Sequence, residues 1–185
     1  MHQKRFVERV DSGSGRSVEV SPRMKGYVAV MLDPDCAEHI RNLAMHMVVA
    51  GDKLVLFYQP PEDVYNDHYQ ELEGCEVHVP VRGLLGDAYA RALVLEQNVW
   101  VANPLGGFSE EPTDIPLEPG RVLHVTVSHS SDVRPHHAQH LARRTDLHPE
   151  PVEGLLEVRG RLAFVPFAPI QEPDLFRDSW RRSRR

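Results

Sequence analysis

Residues 121–128 read Arg-Val-Leu-His-Val-Thr-Val-Ser, an apolar strand that carries one histidine and one threonine two positions apart. Residues i and i+2 of a strand share a face, so His124 and Thr126 project together while Leu123, Val125 and Val127 point the other way. An imidazole moves protons near neutral pH, and a neighbouring hydroxyl can donate to a phosphoryl oxygen. The pair is a candidate phosphate site; the plainer alternative is a core strand whose histidine is simply hydrogen-bonded. Histidine then recurs: His124, His129, His136, His137 and His140 are five of the eleven in the chain. If Pro135 opens a helix, His136 and His140 stand at i, i+4, and His137 and His140 at i, i+3, spacings that can converge on one metal. The His-Glu-x-x-His pattern of metalloproteases is absent and Asp132 is the only nearby acidic ligand. The cluster therefore reads first as a histidine-rich surface helix and second as a metal site.

Other chemistries find no support. Cys36 and Cys75 are too few and too irregular for a disulfide framework or a thiolate metal site, and neither sits in a reactive context. No Gly-x-Ser-x-Gly elbow, Walker-type phosphate loop or dinucleotide glycine fingerprint occurs. ATP- and NAD-dependent reactions are not expected, and no cofactor is implied. The formal charge of −6 argues against sequence-blind wrapping of double-stranded DNA, though not against a short basic groove for one phosphate.

The elements that must position these residues follow from pattern. A chain of 185 residues, 41% hydrophobic and 26% charged, suits one compact unit. No apolar run approaches the ~18–20 residues of a membrane helix, and the first residues lack the apolar core of a secretory signal, so a cytoplasmic protein is expected. Residues 1–24 read as a flexible arm, 25–170 as a single domain, and 171–185 as a basic, solvated tail. Within the domain, residues 26–32 form a buried strand. A helix is expected over 34–49, opened by a proline and an acidic first turn and striped by Ile40, Leu43, Ala44 and Met47, with His39 and His46 at its packed edge. Residues 53–58 form the next strand and 62–72 a short helix. Two long strands are expected over 75–82 and 88–96 with a hairpin turn at Gly86-Asp87. A long loop spans 103–120, and residues 151–166 make a bent strand or hairpin.

This order of elements, over residues 26–167, resembles the two-histidine (2H) phosphoesterase superfamily, which includes RNA-ligase-like cyclic phosphodiesterases. His124-Val-Thr126 matches the second His-x-Thr motif of that superfamily, and it is flanked by similar text at residues 83–95 and at Asp132-Val-Arg-Pro135. The resemblance implies an α+β, two-lobed fold, with antiparallel sheets lining a central cleft and helices outside. It also implies a metal-independent hydrolysis of a nucleotide or RNA-end 2′,3′-cyclic phosphate, one histidine serving as base and the other protonating the leaving oxygen. The chain departs from the pattern where the first motif should fall, before residues 57–60. There it reads Lys53-Leu-Val55, a lysine for the histidine and a valine for the hydroxyl. A lysine holds phosphate as a point charge but is a poor proton shuttle near neutrality unless burial lowers its pKa substantially. His46, on the preceding helix, is a candidate replacement. The expected site is thus His124 and Thr126 as catalytic pair, with Lys53, Tyr58 and Arg134 as substrate contacts and no metal. Two alternatives stand beside this reading: an inactive module on the same fold that binds a nucleotide, RNA or protein, and a metal-binding protein built on the histidine cluster.

Overall fold

The computed structural model describes residues 21–168; the basic tail expected at 171–185, and the expected arm up to residue 20, lie outside the described residues. The four remaining arm residues pack on the domain, since Arg23 bridges Pro61 and the Met24 amide donates to the Pro60 carbonyl at 2.9 Å. The protein is α+β. Eight strands, β1 (Gly26–Leu32), β2 (Val48–Val49), β3 (Lys53–Tyr58), β4 (Glu76–Gly86), β5 (Ala90–Leu95), β6 (Trp100–Val101), β7 (His124–His129) and β8 (Glu157–Pro166), are joined by antiparallel pairings. Three short helices accompany them: α1 (Pro34–Arg41), α2 (Glu62–His68) and α3 (His137–Ala142). None of the described helices is long and apolar enough to cross a membrane.

The sheet runs β2-β7-β5-β4-β8-β1-β3, with β6 paired to β4. Its first and last strands belong to one stretch of chain. β2 pairs with β7, the Ala50 amide continues that ladder to the Val127 carbonyl at 2.9 Å, and the Asp52 carbonyl already accepts from Leu32 of β1 at 3.0 Å. Three residues therefore carry the chain from one end of the sheet to the other, so the sheet rolls over and brings β3 alongside β7. β4 supplies the bend on the opposite side. Its first half pairs with β8 and its second with β5, with a register shift between Val81 and Gly83. Gly83 has φ +149°, and a Cβ there would stand 2.5 Å from the Glu150 carbonyl oxygen, whose close approach is what the Leu84–Glu150 backbone pair requires.

The main core fills the inside of the roll with Val28, Val30, Leu54, Leu56, Val79, Leu93, Leu123, Val125, Val127 and Leu162. A second, smaller cluster lies on the outer face of β5, where Ala90, Ala92 and Val94 meet Ala138, Leu141 and Ala142 of α3. Alanines on both surfaces let the short helix sit close to the sheet, and burial of that apolar area holds it there.

The strands over 26–32 and 53–58 fall where the apolar pattern puts them, and Asp87 closes the expected hairpin by accepting from the Tyr89 and Ala90 amides at 2.8 Å. The helix expected over 34–49 is corrected. α1 stops at Arg41, Met47 is 89% exposed, and residues 48–49 are strand. A helical stripe through 40–47 competes with the β-branched pair Val48-Val49, which gains ladder bonds on β7 instead. The segment 151–166 yields a single strand over its second half.

Candidate functional site

β3 and β7 meet the floor of the site with the same backbone device. On β7 the pairings with β5 run His124–Val94, Val125–Leu93 and Thr126–Ala92, then skip to Ser128–Arg91 and His129–Ala90. Val127 is an extra residue, a β-bulge, and it exchanges the faces beyond it. Without the bulge His129 would share the core face with Val125. With it, His129 stands on the face of His124 and Thr126. On β3 the pairings with β1 place Val55 opposite Ala29 and Phe57 opposite Val28, so Leu56 is likewise the extra residue. Both strands therefore present positions i, i+2 and i+5: Lys53, Val55 and Tyr58 from one, His124, Thr126 and His129 from the other. All six line one cleft of about 400 Å³, together with Ala50, Asp52, Arg121 and, from the segment of α3, Pro135, His136 and Gln139.

The two floor histidines are oriented alike. His124 donates from Nδ1 to the Val122 carbonyl at 2.8 Å, and His129 donates from Nδ1 to the Ser130 carbonyl, also at 2.8 Å. A carbonyl only accepts, so in each ring Nδ1 carries a proton and Nε2 is left for chemistry. Burial holds the His124 pKa below the ordinary imidazole value; the Val122 carbonyl opposes that shift, and the Arg121 and Arg143 cations add to it. His124 is thereby kept neutral, the form a general base needs. Thr126 lies between the two rings on the same face, where its hydroxyl can donate to a bound oxyanion.

Positive charge comes from the walls. The Lys53 ammonium stands 3.8 Å from the Asp52 carboxylate and 5.8 Å from the centroid of the Tyr27 ring, an arrangement that leaves it half exposed to the cleft. Arg121 is paired with Glu118. Tyr58, 47% exposed, stacks on Tyr27 with centroids 6.5 Å apart and leans on Phe167 at 5.2 Å, forming an aromatic edge to the site.

Of the residues expected from sequence, Lys53, Tyr58, His124 and Thr126 are brought together here. Arg134 is not: it is exposed in the turn before α3 and does not line the cleft, whose arginine is Arg121. His46 does not serve the cleft either. It lines a different recess of about 600 Å³ and its Nδ1 is 3.0 Å from the Ser128 hydroxyl. The sequence did not assign Asp52, Arg121, His129, His136 or Gln139 to the phosphate site, and it named His129 and His136 only within the histidine cluster. The signal for His129 is the bulge, which alternation alone does not reveal.

The histidines of α3 diverge. His136 and His140 pack edge to face with centroids 5.5 Å apart, whereas the His137 Nε2 is turned to the Asp87 carboxylate at 3.0 Å. Among the described residues no three His, Cys, Asp or Glu side chains stand close enough to hold a metal ion. A further histidine, His78, bonds Glu157 at 2.8 Å beneath Trp100 and Phe108, in a recess lined by β4 and β8 that shares no residue with the cleft.

No protein-family model matches this sequence, and no curated protein or solved structure matches it either.

Proposed function

We propose that this chain is a 2H-type phosphoesterase acting on a nucleotide or on the 2′,3′-cyclic phosphate of an RNA end, with a two-lobed fold in which β3 and β7 carry the equivalent motif positions. The observation that carries the reading is the matched i, i+2, i+5 presentation of Lys53, Val55, Tyr58 and His124, Thr126, His129 into one cleft. The sequence motif predicts only that Lys53 and His124 occupy corresponding places; an identical bulge after each motif is an independent support. In this site the phosphate rests between Lys53, which neutralises its charge, and Thr126, which donates to one of its oxygens. His124, neutral and with Nε2 free, takes the proton of the attacking water. Tyr58 offers an aromatic face on which a base can stack.

The test is hydrolysis of 2′,3′-cyclic nucleotides and of RNA bearing a 2′,3′-cyclic end by wild type and His124→Ala, each with and without a chelator. Turnover that survives chelation and falls about 10²–10⁴-fold in His124→Ala is the expected result. Unchanged turnover in a folded His124→Ala removes the assigned role, and absence of turnover by the wild type removes the enzyme reading. In that event Lys53 and Val55 favour the second reading, a binding module on the same fold: a fixed cation without its hydroxyl can hold a phosphate but cannot shuttle its proton. Binding of a cyclic nucleotide without hydrolysis would then be the positive result.

A further inference from the structure

The proposed reaction leaves one role unfilled, because a lysine stands where the second proton-transfer group is expected. We infer that His129 is that group, the general acid, so that both proton transfers are performed from β7 while Lys53 supplies charge alone. The inference rests on the phosphoesterase reading above and adds a catalytic residue that no sequence motif marks.

The support is geometric. His129 lines the same cleft as His124, on the same face, because of the bulge at Val127. Thr126 lies between them. The partners of the two histidines on β5 are Ala90 and Val94, four residues apart, so the two Cα atoms are separated by about 13 Å at the usual strand rise. A phosphate seated on the Thr126 hydroxyl is flanked by one imidazole on each side. The two Nδ1 atoms are anchored outward along the strand, to Val122 before His124 and to Ser130 after His129. His129 is 8% exposed and its ring is fixed by the bond to the Ser130 carbonyl. His136, the other imidazole of the cleft, is exposed and stands edge to face with His140, and a proton donor must be positioned to be effective. The charged and titratable groups that share the cleft with His129 are Asp52, Lys53 and Tyr58 from the β2–β3 segment, Arg121 and His124 on and before β7, and His136 before α3; its neighbours on β5 and β2 are the apolar Ala90 and Val48.

The step balances. Water attacks phosphorus of the 2′,3′-cyclic diester as His124 Nε2 removes its proton; the new P–O bond forms as one P–O(ribose) bond breaks. His129, in its imidazolium form, gives its Nε2 proton to the departing ribose oxygen, and a ribonucleoside monophosphate with a free hydroxyl leaves. A proton passing between the two imidazoles by way of solvent resets the pair. No redox partner or metal enters.

A general acid is recognised by what its leaving group needs. A ribose alkoxide requires protonation, whereas p-nitrophenolate does not. We would therefore compare a 2′,3′-cyclic nucleotide with thymidine 3′-(p-nitrophenyl phosphate) for wild type, His124→Ala, His136→Ala, His129→Asn and His129→Gln. Asparagine can still donate to the Ser130 carbonyl and glutamine keeps a polar end near Nε2, so the two variants guard against simple misfolding, checked by thermal unfolding. The expected result is a loss of about 10²–10⁴-fold on the cyclic ester in both His129 variants with less than about tenfold on the activated ester, and disappearance of the alkaline limb of the kcat/KM profile, which reports the acid. His124→Ala should lose both substrates alike. Equal losses of both esters in the His129 variants, no loss in either, or a selective loss in His136→Ala instead overturns the assignment while leaving the phosphoesterase reading in place. No turnover of either ester by the wild type overturns both.

Discussion

β3 and β7 share a backbone and differ in chemistry. Each turns its first, third and sixth residues into the cleft and its second residue and bulge residue, Leu54 and Leu56 or Val125 and Val127, into the core, all four fully buried. The core positions are interchangeable in kind, two aliphatic side chains in each case. The cleft positions are not: a cation, an aliphatic and a phenol face a proton carrier, a hydroxyl and a second proton carrier. What holds the shape is therefore separable from what does the chemistry. Packing and register demand only apolar residues inside and one inserted residue per strand, so the cleft-facing side chains are free to divide the labour unevenly. On the proposed reading β3 binds and β7 reacts.

The sharpest way to break this comparison is to remove a bulge. Deletion of Val127 makes the β5–β7 ladder continuous, keeps His129 opposite Ala90 on the cleft face and leaves Ser128 alone opposite Arg91, where the valine had filled the core. A loss of more than about 3 kcal/mol is expected from the missing valine and the closing-up of the strand around its place together. Val127→Ala, which keeps the register, should cost only about 1–3 kcal/mol. Urea unfolding of the two variants measures the difference, and equal losses would show that the inserted residue contributes only its side chain and not the shape of the strand. A smaller effect sharpens the division between the strands. Lys53→Ala should weaken binding of 2′-AMP, a product of the proposed reaction, by roughly ten- to a hundredfold at low salt, the range of a charge-assisted contact, and reduce the salt dependence of what remains. His124→Ala should change that affinity less and turnover more. Titration calorimetry at two ionic strengths reads the binding half, and an affinity untouched by Lys53→Ala would place the phosphate elsewhere.

How much of this was legible in the sequence depends on distance along the chain. The strands at 26–32 and 53–58 show in their short apolar runs, whereas the α+β class was what the resemblance implied. His124 and Thr126 are legible because two residues suffice to define a face. His129 is not, since five residues of alternation put it inside and only the inserted Val127, visible in the pairing with β5, brings it out. The end of α1 fails for a related reason: residues 40–47 satisfy a helical stripe, and nothing local announces that Val48-Val49 will be taken up by a strand some eighty residues away. Arg134 stands near the motif in sequence but in a turn that faces solvent, while Arg121, just before the strand, enters the cleft. Local chemistry was readable; long-range register was not.

The smallest expected effect separates the strands without any substrate. The folded protein resists protonation of His124, chiefly through burial and secondarily through Arg121 and Arg143, so its pKa lies below the value of 6.5 that an unconstrained imidazole has. Above that value both folded and unfolded chains hold the ring neutral and the difference contributes fully to stability. As pH falls below it, the unfolded chain binds a proton that the folded chain refuses, and stability drops until the folded pKa is passed. The carboxylates held down in the folded state lose their contribution in a separate, more acid window: Glu157 through its bond from His78, and Asp87, where the His137 bond and two backbone amides outweigh burial. A plot of unfolding free energy against pH should therefore fall from about pH 6.5 in the wild type and be flatter in His124→Gln over that range, while Lys53→Met runs parallel to the wild type. A His124→Gln curve that tracks the wild type would mean that the ring is free to take up a proton in the fold, and β7 would lose the neutral base on which its half of the chemistry depends.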